Sequence, residues 1–500
     1  MRDRRALVEW SLALLPVAGA LLRLWQYARS GSFWLDEVWL ATNVVERPWS
    51  ELLGQPLAFH QGAPPAFLAL SKLVAVLLAA DDWALRLPPL VCGLATPVLG
   101  YFVARLVFRT TAARVALVGA LAFSPALVYY ASEFKQFSGD VLVTLALVAL
   151  ALRARSDGHG LAPLAVAGAL APWLSHAAPL VLFGLGAALV GEAARGGRRV
   201  ERVRLLAVLG LVWSASCAAL FAAAAGALAR DEFMASFWSA GFAPLSGQLP
   251  AWLVESALGL THLAFLHAGA SGVDADPAWY GVPVVLLTAV VIVGLAGLGR
   301  CSRRLQVSVL LVLGATLCLS AARVYPLRGR LILFLVPLVH VAAASAVEWL
   351  ARREGARRAA ELLAAALVLG SLGVSLRSYP WPHAGMEGAL RFLASRAEPG
   401  DGLVVDAWSA PALRFYAPRV GLPALRPTAP PIPDDADPAA FRGAVCRAAR
   451  DRTWVLITRL DLHYEGLERL ERDGLRLDGW SGQGTGLALV DLSAPAACVR

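Results

Sequence analysis

Residues 281–304 read GVPVVLLTAVVIVGLAGLGRCSRR. From Gly281 to Gly299 there is no charge, and then Arg300, Arg303 and Arg304 follow within five positions. As a helix rising 1.5 Å per residue, the uncharged run is about 28 Å long, which matches a hydrocarbon core of about 30 Å. The arginines mark the end of the run and the side of the membrane on which it stops. Ten further stretches read the same way, at about 6–25, 87–104, 113–130, 140–152, 160–174, 177–194, 204–228, 305–322, 331–348 and 359–376. The chain is therefore expected to be an α-helical polytopic membrane protein with about eleven spans.

Composition agrees. Of the 500 residues 58% are hydrophobic and 16% charged, against about a quarter charged in a soluble domain. Mean hydropathy is +0.61. The deficit of charge is confined to the first three quarters, and from about Pro380 the chain returns to ordinary soluble composition. We expect a membrane domain over 1–378 and a separate domain over 382–500. The net charge is +9, carried almost wholly by Arg, with Lys72 and Lys135 as the two lysines. These arginines sit in clusters between apolar runs, as topology signals do, so no nucleic-acid partner is expected. The first apolar run continues to Trp25 with no small-residue cleavage site before a soluble stretch, and reads as an uncleaved first span.

With the N-terminus in the cytoplasm, every dense arginine cluster falls on one side: Arg105, Arg109 and Arg114; Arg153 and Arg155; Arg195, Arg198, Arg199, Arg202 and Arg204; Arg300, Arg303 and Arg304; Arg352, Arg353, Arg357 and Arg358. Counting 64–80 as a span would place the later clusters outside, so that stretch, begun by Pro64-Pro65 and interrupted by Lys72, is expected to lie at the interface. The outer face then holds a long first loop, 26–86, the short connection 131–139 and the loop 229–280. Trp238, Trp252, Trp279 and Tyr280 in the last of these are placed as interfacial anchors. The tail is also outside. It is expected to be a small extracytoplasmic α/β domain, with helices at Met386–Ala397 and Phe441–Arg450 and strands at Gly402–Val405, Thr453–Ile457 and Leu487–Leu492. The Pro-rich stretch Pro427–Pro438 reads as a surface loop. Gly482-Gln483-Gly484-Thr485-Gly486 opens no helix, which counts against a soluble nucleotide-sugar donor. Cys92, Cys217 and Cys318 are expected as small buried hydrophobes. Cys446 and Cys498 could pair in an oxidising compartment. A composition rich in Ala and Arg and poor in Lys points to a GC-rich bacterial genome and hence to a bacterial inner membrane.

Chemistry-bearing residues concentrate in the outer segments. Ser32-Phe33-Trp34-Leu35-Asp36-Glu37-Val38-Trp39 sets two adjacent carboxylates between tryptophans just past the first span. One reading is a solvated loop pair. The other is a desolvated carboxylate of raised pKa, suited to general-base work. The loop ends on His60-Gln61-Gly62-Ala63-Pro64-Pro65, where Pro-Pro begins a helix. Glu133, Lys135, Gln136 and Asp140 form a second polar cluster. Asp140 stands at a span boundary, where an ionisable group is costly and often functional. Glu133 and Lys135 either neutralise each other or line a pocket. Arg323, Arg328 and Arg330 lie on the outer side, against the topology rule. They contact anionic headgroups or bind a phosphate, to which a planar guanidinium is suited, with Arg328 and Arg330 favoured for the second role. His176, His262 and His267 read as interface residues, and no metal site is assigned.

An Asp-Glu pair after the first span, followed by His/Gln-x-x-Pro-Pro, resembles the membrane glycosyltransferases of the GT-C fold. The resemblance is to the protein O-mannosyltransferase and aminoarabinose-transferase superfamily, in its bacterial dolichyl-phosphate-mannose-mannosyltransferase-like branch. Trp83-Ala84-Leu85-Arg86-Leu87-Pro88, Tyr129-Tyr130-Ala131-Ser132-Glu133-Phe134-Lys135-Gln136-Phe137 and Tyr325-Pro326-Leu327-Arg328-Gly329-Arg330 extend it over residues 1 to about 350. It implies a sugar donor on a polyprenyl phosphate, an extracytoplasmic acceptor (glycan, lipid or protein) and inversion at the anomeric carbon. It makes Asp36 the catalytic base, with Glu37 orienting acceptor or base. His60, Gln61, Glu133, Lys135, Gln136, Asp140, Arg328 and Arg330 are then the expected substrate-binding residues. The chain departs from protein mannosyltransferases in having Gln-Gly-Ala between His60 and Pro64. A divalent cation such as Mg²⁺ is left open, since paired carboxylates can hold one or act as base. A transporter would be expected to show polar residues at mid-membrane or an internal repeat, whereas here the charges concentrate in the outer loops and no repeat is seen. A non-catalytic scaffold is opposed by the intact Asp36-Glu37 pair.

Overall fold

The computed structural model describes residues 2–155, 159–195, 199–222, 231–267, 281–380, 385–422, 427–433, 436–447, 452–458, 460–472, 477–482 and 485–491. Its contacts divide the chain into two units, Met1–Ala28 with Pro48–Trp381, and Arg29–Arg47 with Pro382–Arg500. Residues 29–47, which the sequence reading assigned to the first loop of the membrane domain, thus group with the C-terminal residues.

The first unit is helical. Over their described residues the eleven expected stretches are helical, 113–130 and 331–348 each as two consecutive segments; residues 223–228 of the stretch expected over 204–228 lie outside the described residues. Among the described residues, six helical stretches are long and apolar enough to cross a membrane. They become seven if Thr111–Phe123 and Pro125–Ser132, bent by 48°, count as one. The shortfall from eleven has a length component: Phe137–Arg153, Leu161–Leu174 and Ala178–Ala193 have 17, 14 and 16 residues, short of the ~20 that a straight span needs. The helices differ in what surrounds them. In Gly329–Ala351 94% of the apolar window is buried, against 28% in Val282–Arg300. An all-round apolar helix can be central, while a lipid-facing one keeps an exposed apolar side. The two pack closely because Gly294 has no side chain: a Cβ there would meet the Ala342 carbonyl oxygen at 1.8 Å, the small-residue contact common between membrane helices.

The bend at residues 123–125 follows from Pro125, which has no N–H and leaves a carbonyl of the preceding turn without its helical donor. Inside a membrane such a carbonyl needs another partner. Arg23, fully buried, donates to Leu121 O at 2.9 Å, Ala122 O at 2.6 Å and Gly19 O at 3.0 Å. Ser375 Oγ donates to Phe123 O and Tyr379 Oη to Pro125 O. The broken span is thereby closed, and its continuation delivers residues 130–136 to the interior.

In the expected loop 229–280 the structure has a helix, Leu249–Phe265, begun by Pro250 in its first turn. Trp279 and Tyr280 lie outside the described residues. Cys318 is exposed, and Cys92 and Cys217 are only partly buried. Less than half of the apolar window is buried on each of the helices that carry them, so hydropathy alone did not locate the thiols.

The second unit holds a four-stranded sheet, β1 (Gly402–Val405), β2 (Arg452–Ile457), β3 (Leu477–Gly482) and β4 (Thr485–Asp491), in the order β1-β2-β4-β3. β1 and β2 are parallel, and β4 is antiparallel to both of its neighbours. Met386–Arg396 and Pro438–Arg447 coincide with the expected helices, while Ser409–Tyr416, Leu460–Arg472 and β3 add to them. The Pro-rich stretch is not wholly on the surface: Ile432 is fully buried and bridges Asp406, because its apolar side chain fills the core beside Val404 and Phe441. Cys446 is disulfide-bonded; Cys498 lies outside the described residues.

Candidate active site

Asp36 and Glu37 occupy the first turn of the helix Leu35–Glu46. Adjacent residues on a helix point about 100° apart, and the two carboxylates separate accordingly. Glu37 is fully buried, and its Oε2 accepts the Trp34 backbone N–H at 2.8 Å at the start of the helix. Asp36 is only partly buried. The helix is held within the second unit by Trp39 stacked on Trp408 at 4.7 Å, by Arg414 on Glu46 at 2.6 Å and by the Tyr416 hydroxyl, which accepts the Phe33 N–H at 2.7 Å. The tryptophans that flank the pair in sequence are thus used in packing and capping.

In the first unit, residues 59–64 make a sharp turn. Phe59 and His60 both adopt positive φ, 61° and 52°, a left-handed conformation that costs a side-chain-bearing residue. The turn sends neighbouring side chains to different places. His60 Nδ1 is 2.8 Å from Asp231 Oδ2, and its ring stacks on Phe233 at 4.5 Å. Burial raises the Asp231 carboxyl, but hydrogen bonds from His60 and the Met234 amide outweigh it and hold it below the usual range. Gln61 Oε1 instead accepts from Lys135 Nζ, and Gln136 Nε2 lies 3.5 Å from Gly62 O.

Lys135 belongs to the segment that follows the broken span. Glu133, Lys135 and Gln136 are 1%, 5% and 8% exposed. Arg330 reaches this segment from the start of the central helix. Its Nη1 lies 3.9 Å from Glu133 Oε1, and its guanidinium stands over the rings of Phe137 at 5.7 Å and Trp238 at 5.9 Å. Trp238 is buried and not placed as an interfacial anchor, and its ring faces that cation. The result is a buried segment carrying Glu133 and Lys135, with Arg330 facing Glu133 over an aromatic floor.

The other expected residues lie elsewhere. Gly329, at positive φ, turns the chain between the two arginines. Arg328 lines a cleft of about 360 Å³ together with Gln248, Trp252, Glu255, His262 and His267, while Arg323 stands over Phe242. Burial lowers the pKa of His262. Asp140, 6% exposed, sits in the first turn of Phe137–Arg153 with its carboxylate hydrogen-bonded to Ser175. His176 follows, with burial lowering its pKa to about 4. Among the described residues no three His, Cys, Asp or Glu side chains gather as metal ligands would. Sequence reasoning missed Arg23, Asp231 and Glu255. Arg23 carried a signal, an arginine inside the first apolar run, which demands a polar partner.

No family model and no curated protein matches the chain. Solved structures do. ArnT from Cupriavidus metallidurans in the apo state superposes over 98% of this chain and 99% of its own, with TM-score 0.53 and 14% identity. The chain has the GT-C fold. The same GT-C protein bound to undecaprenyl phosphate matches over 96% of this chain and 98% of its own, at TM-score 0.52 and 14% identity. The archaeal oligosaccharyltransferase AglB from Archaeoglobus fulgidus, in complex with an inhibitory peptide and a dolichol-phosphate, matches over 96% and 74%, at TM-score 0.53 and 13% identity. At such identities the shared GT-C architecture is what the comparison establishes.

Proposed function

We propose that this GT-C chain transfers a sugar from a polyprenyl-phosphate carrier to a hydroxyl group of an extracytoplasmic acceptor, with inversion, in a bacterial inner membrane. The observation that carries the reading is a buried outer segment that holds both Glu133 and Lys135, with Arg330 facing Glu133 and Gln61 holding Lys135, so that two cations are drawn to one polar segment. Such a site suits a lipid phosphate. The carrier-linked sugar is a phosphodiester with one negative charge, and the departing carrier is a phosphate monoester with up to two. Fixed cations therefore bind the leaving group more tightly than the donor, and that difference lowers the barrier. That the relatives of like fold include one bound to undecaprenyl phosphate and one bound to a dolichol-phosphate supports the same class of carrier.

Asp36 takes the acceptor hydroxyl proton. The acceptor oxygen attacks the anomeric carbon from the side opposite the phosphate, the carbon–oxygen bond to phosphate breaks, and the electron pair leaves with the carrier. Glu37 acts as a positioning residue by fixing the helix start that carries Asp36. Gln61 holds Lys135, and the His60–Asp231 pair holds the turn that carries Gln61. The disulfide at Cys446 supports an oxidising compartment for the C-terminal domain, and the one-sided arginine clusters support a cytoplasmic N-terminus. The acceptor is a glycan, lipid or protein.

The test is sugar release from a panel of labelled polyprenyl-phosphate sugars, wild type beside Asp36→Asn. One donor is expected to be consumed, and loss of the base lowers turnover by about 10² to 10⁴ while donor binding persists. A protein that neither binds nor consumes any donor overturns the reading.

A further inference from the structure

Arg330 stands at one end of the helical stretch Gly329–Ala351, and a second arginine group stands at the other, about 36 Å away along a 3-10 turn and an α-helix. There the ends of Val282–Arg300 and Gly329–Ala351 line a half-open cleft of about 170 Å³ together with Arg300, Arg352, Arg353, Glu348 and Trp349. The topology rule accounts for arginines at this level of the membrane, but it requires neither a cavity nor their arrangement around it. Glu348 does not neutralise all three. Its oxygens are taken by Arg352 at 2.6 Å, by the Thr110 amide and hydroxyl and by the Arg109 amide. Arg353 is held with its guanidinium 3.8 Å above the Trp349 ring. Arg300 has no ion-pair partner among the described residues. Two positive charges thus remain around a space that would hold about five waters at ~30 Å³ each, enough for a phosphate with part of its glycerol.

The helix above this cavity is lipid-facing. Ile292 and Val293, about two turns before Arg300, are 60% and 45% exposed, and both helices meet the length and hydropathy of membrane spans. We infer that this cleft binds the phosphodiester headgroup of an anionic membrane lipid, with Arg300 and Arg353 as its cations and the acyl chains along the exposed side of Val282–Arg300. The site is separate from the Lys135–Arg330 group and does not rest on the proposed transfer reaction. Basic pockets between membrane helices recognise phospholipid headgroups by this combination of charge and enclosure.

The test is binding of phosphatidylglycerol and phosphatidylcholine to the purified full-length protein, by native mass spectrometry and by the lipid-dependent shift in melting temperature. Wild type is expected to retain phosphatidylglycerol selectively. Arg300→Gln with Arg353→Gln should weaken that binding by about 30-fold, some fivefold for each arginine at about 1 kcal/mol apiece, with melting in phosphatidylcholine unchanged. Arg300→Gln alone should weaken it by about fivefold, which keeps the test open if the double variant does not fold. Arg303→Gln, a neighbouring exposed arginine outside the cleft, should leave it intact. Unchanged binding in the cleft variants, or an equal loss in Arg303→Gln, overturns the site. Full competition by millimolar inorganic phosphate overturns the lipid assignment.

Discussion

Lys135→Met is the perturbation that most directly tests the enclosed cations. It removes the positive charge from the buried segment that also carries Glu133 and takes the donor from Gln61 Oε1, with little change in side-chain length. Glu133 keeps Arg330 at 3.9 Å, so the carboxylate is not left without a cation and the fold should persist. A unit charge pair about 5 Å apart in an effective dielectric near 20 is worth about 3 kcal/mol. A singly charged donor should therefore bind about 150-fold more weakly. The carrier phosphate released on transfer holds up to one charge more, so its affinity should fall further, by another factor of about 10 to 100, and turnover should fall with it. The assay is titration of purified wild type, Lys135→Met and Lys135→Arg with polyprenyl phosphate and with the sugar-bearing donor, beside sugar release. Lys135→Arg keeps the charge and should retain most of the binding. If Lys135→Met binds both ligands as wild type does, or loses both by the same factor, the charge argument is refuted.

Glu37→Gln should keep the hydrogen bond from the Trp34 N–H and most of the activity, because the Gln carbonyl fills the same position, whereas Glu37→Ala should destabilise by about 1 kcal/mol and lower kcat through a displaced Asp36; equal activity loss in both would make Glu37 a participant in the chemistry. Arg23→Met should cost about 3 to 5 kcal/mol by leaving the carbonyls of the broken span unpaired in the membrane interior, read as a drop in detergent unfolding midpoint, and a midpoint unchanged from wild type would discard that role. Burial lowers the pKa of His176 to about 4, so at neutral pH the folded and unfolded states are equally unprotonated there. Below about 6.5 the unfolded state takes a proton first, and stability should fall by up to about 3 kcal/mol as pH drops toward 4. His176→Gln should flatten that slope, and identical pH profiles for the two proteins would count against it.

The apolar runs, the arginine clusters and the tail strands β1 and β2 were all legible before any coordinates, because hydropathy, charge and strand-forming composition are properties of short stretches read in place. The Asp36-Glu37 pair and the Glu133–Gln136 segment stood out for the same reason: charge is conspicuous in an apolar chain. The division of labour among these residues was not legible. His60 and Gln61 are neighbours, yet two consecutive positive-φ residues send one to Asp231, 171 positions away, and the other to Lys135, 74 positions away. Arg328 and Arg330 read as one phosphate clamp until Gly329 turned one toward the His262 cleft and the other toward Glu133. The grouping of residues 29–47 with the C-terminal residues depends on Trp39 meeting Trp408. By itself the sequence determined that this chain crosses a membrane repeatedly and which residues carry charge into its polar segments. The tertiary structure alone decided which of those charges meet, since packing brings together side chains whose separation along the chain leaves no local trace.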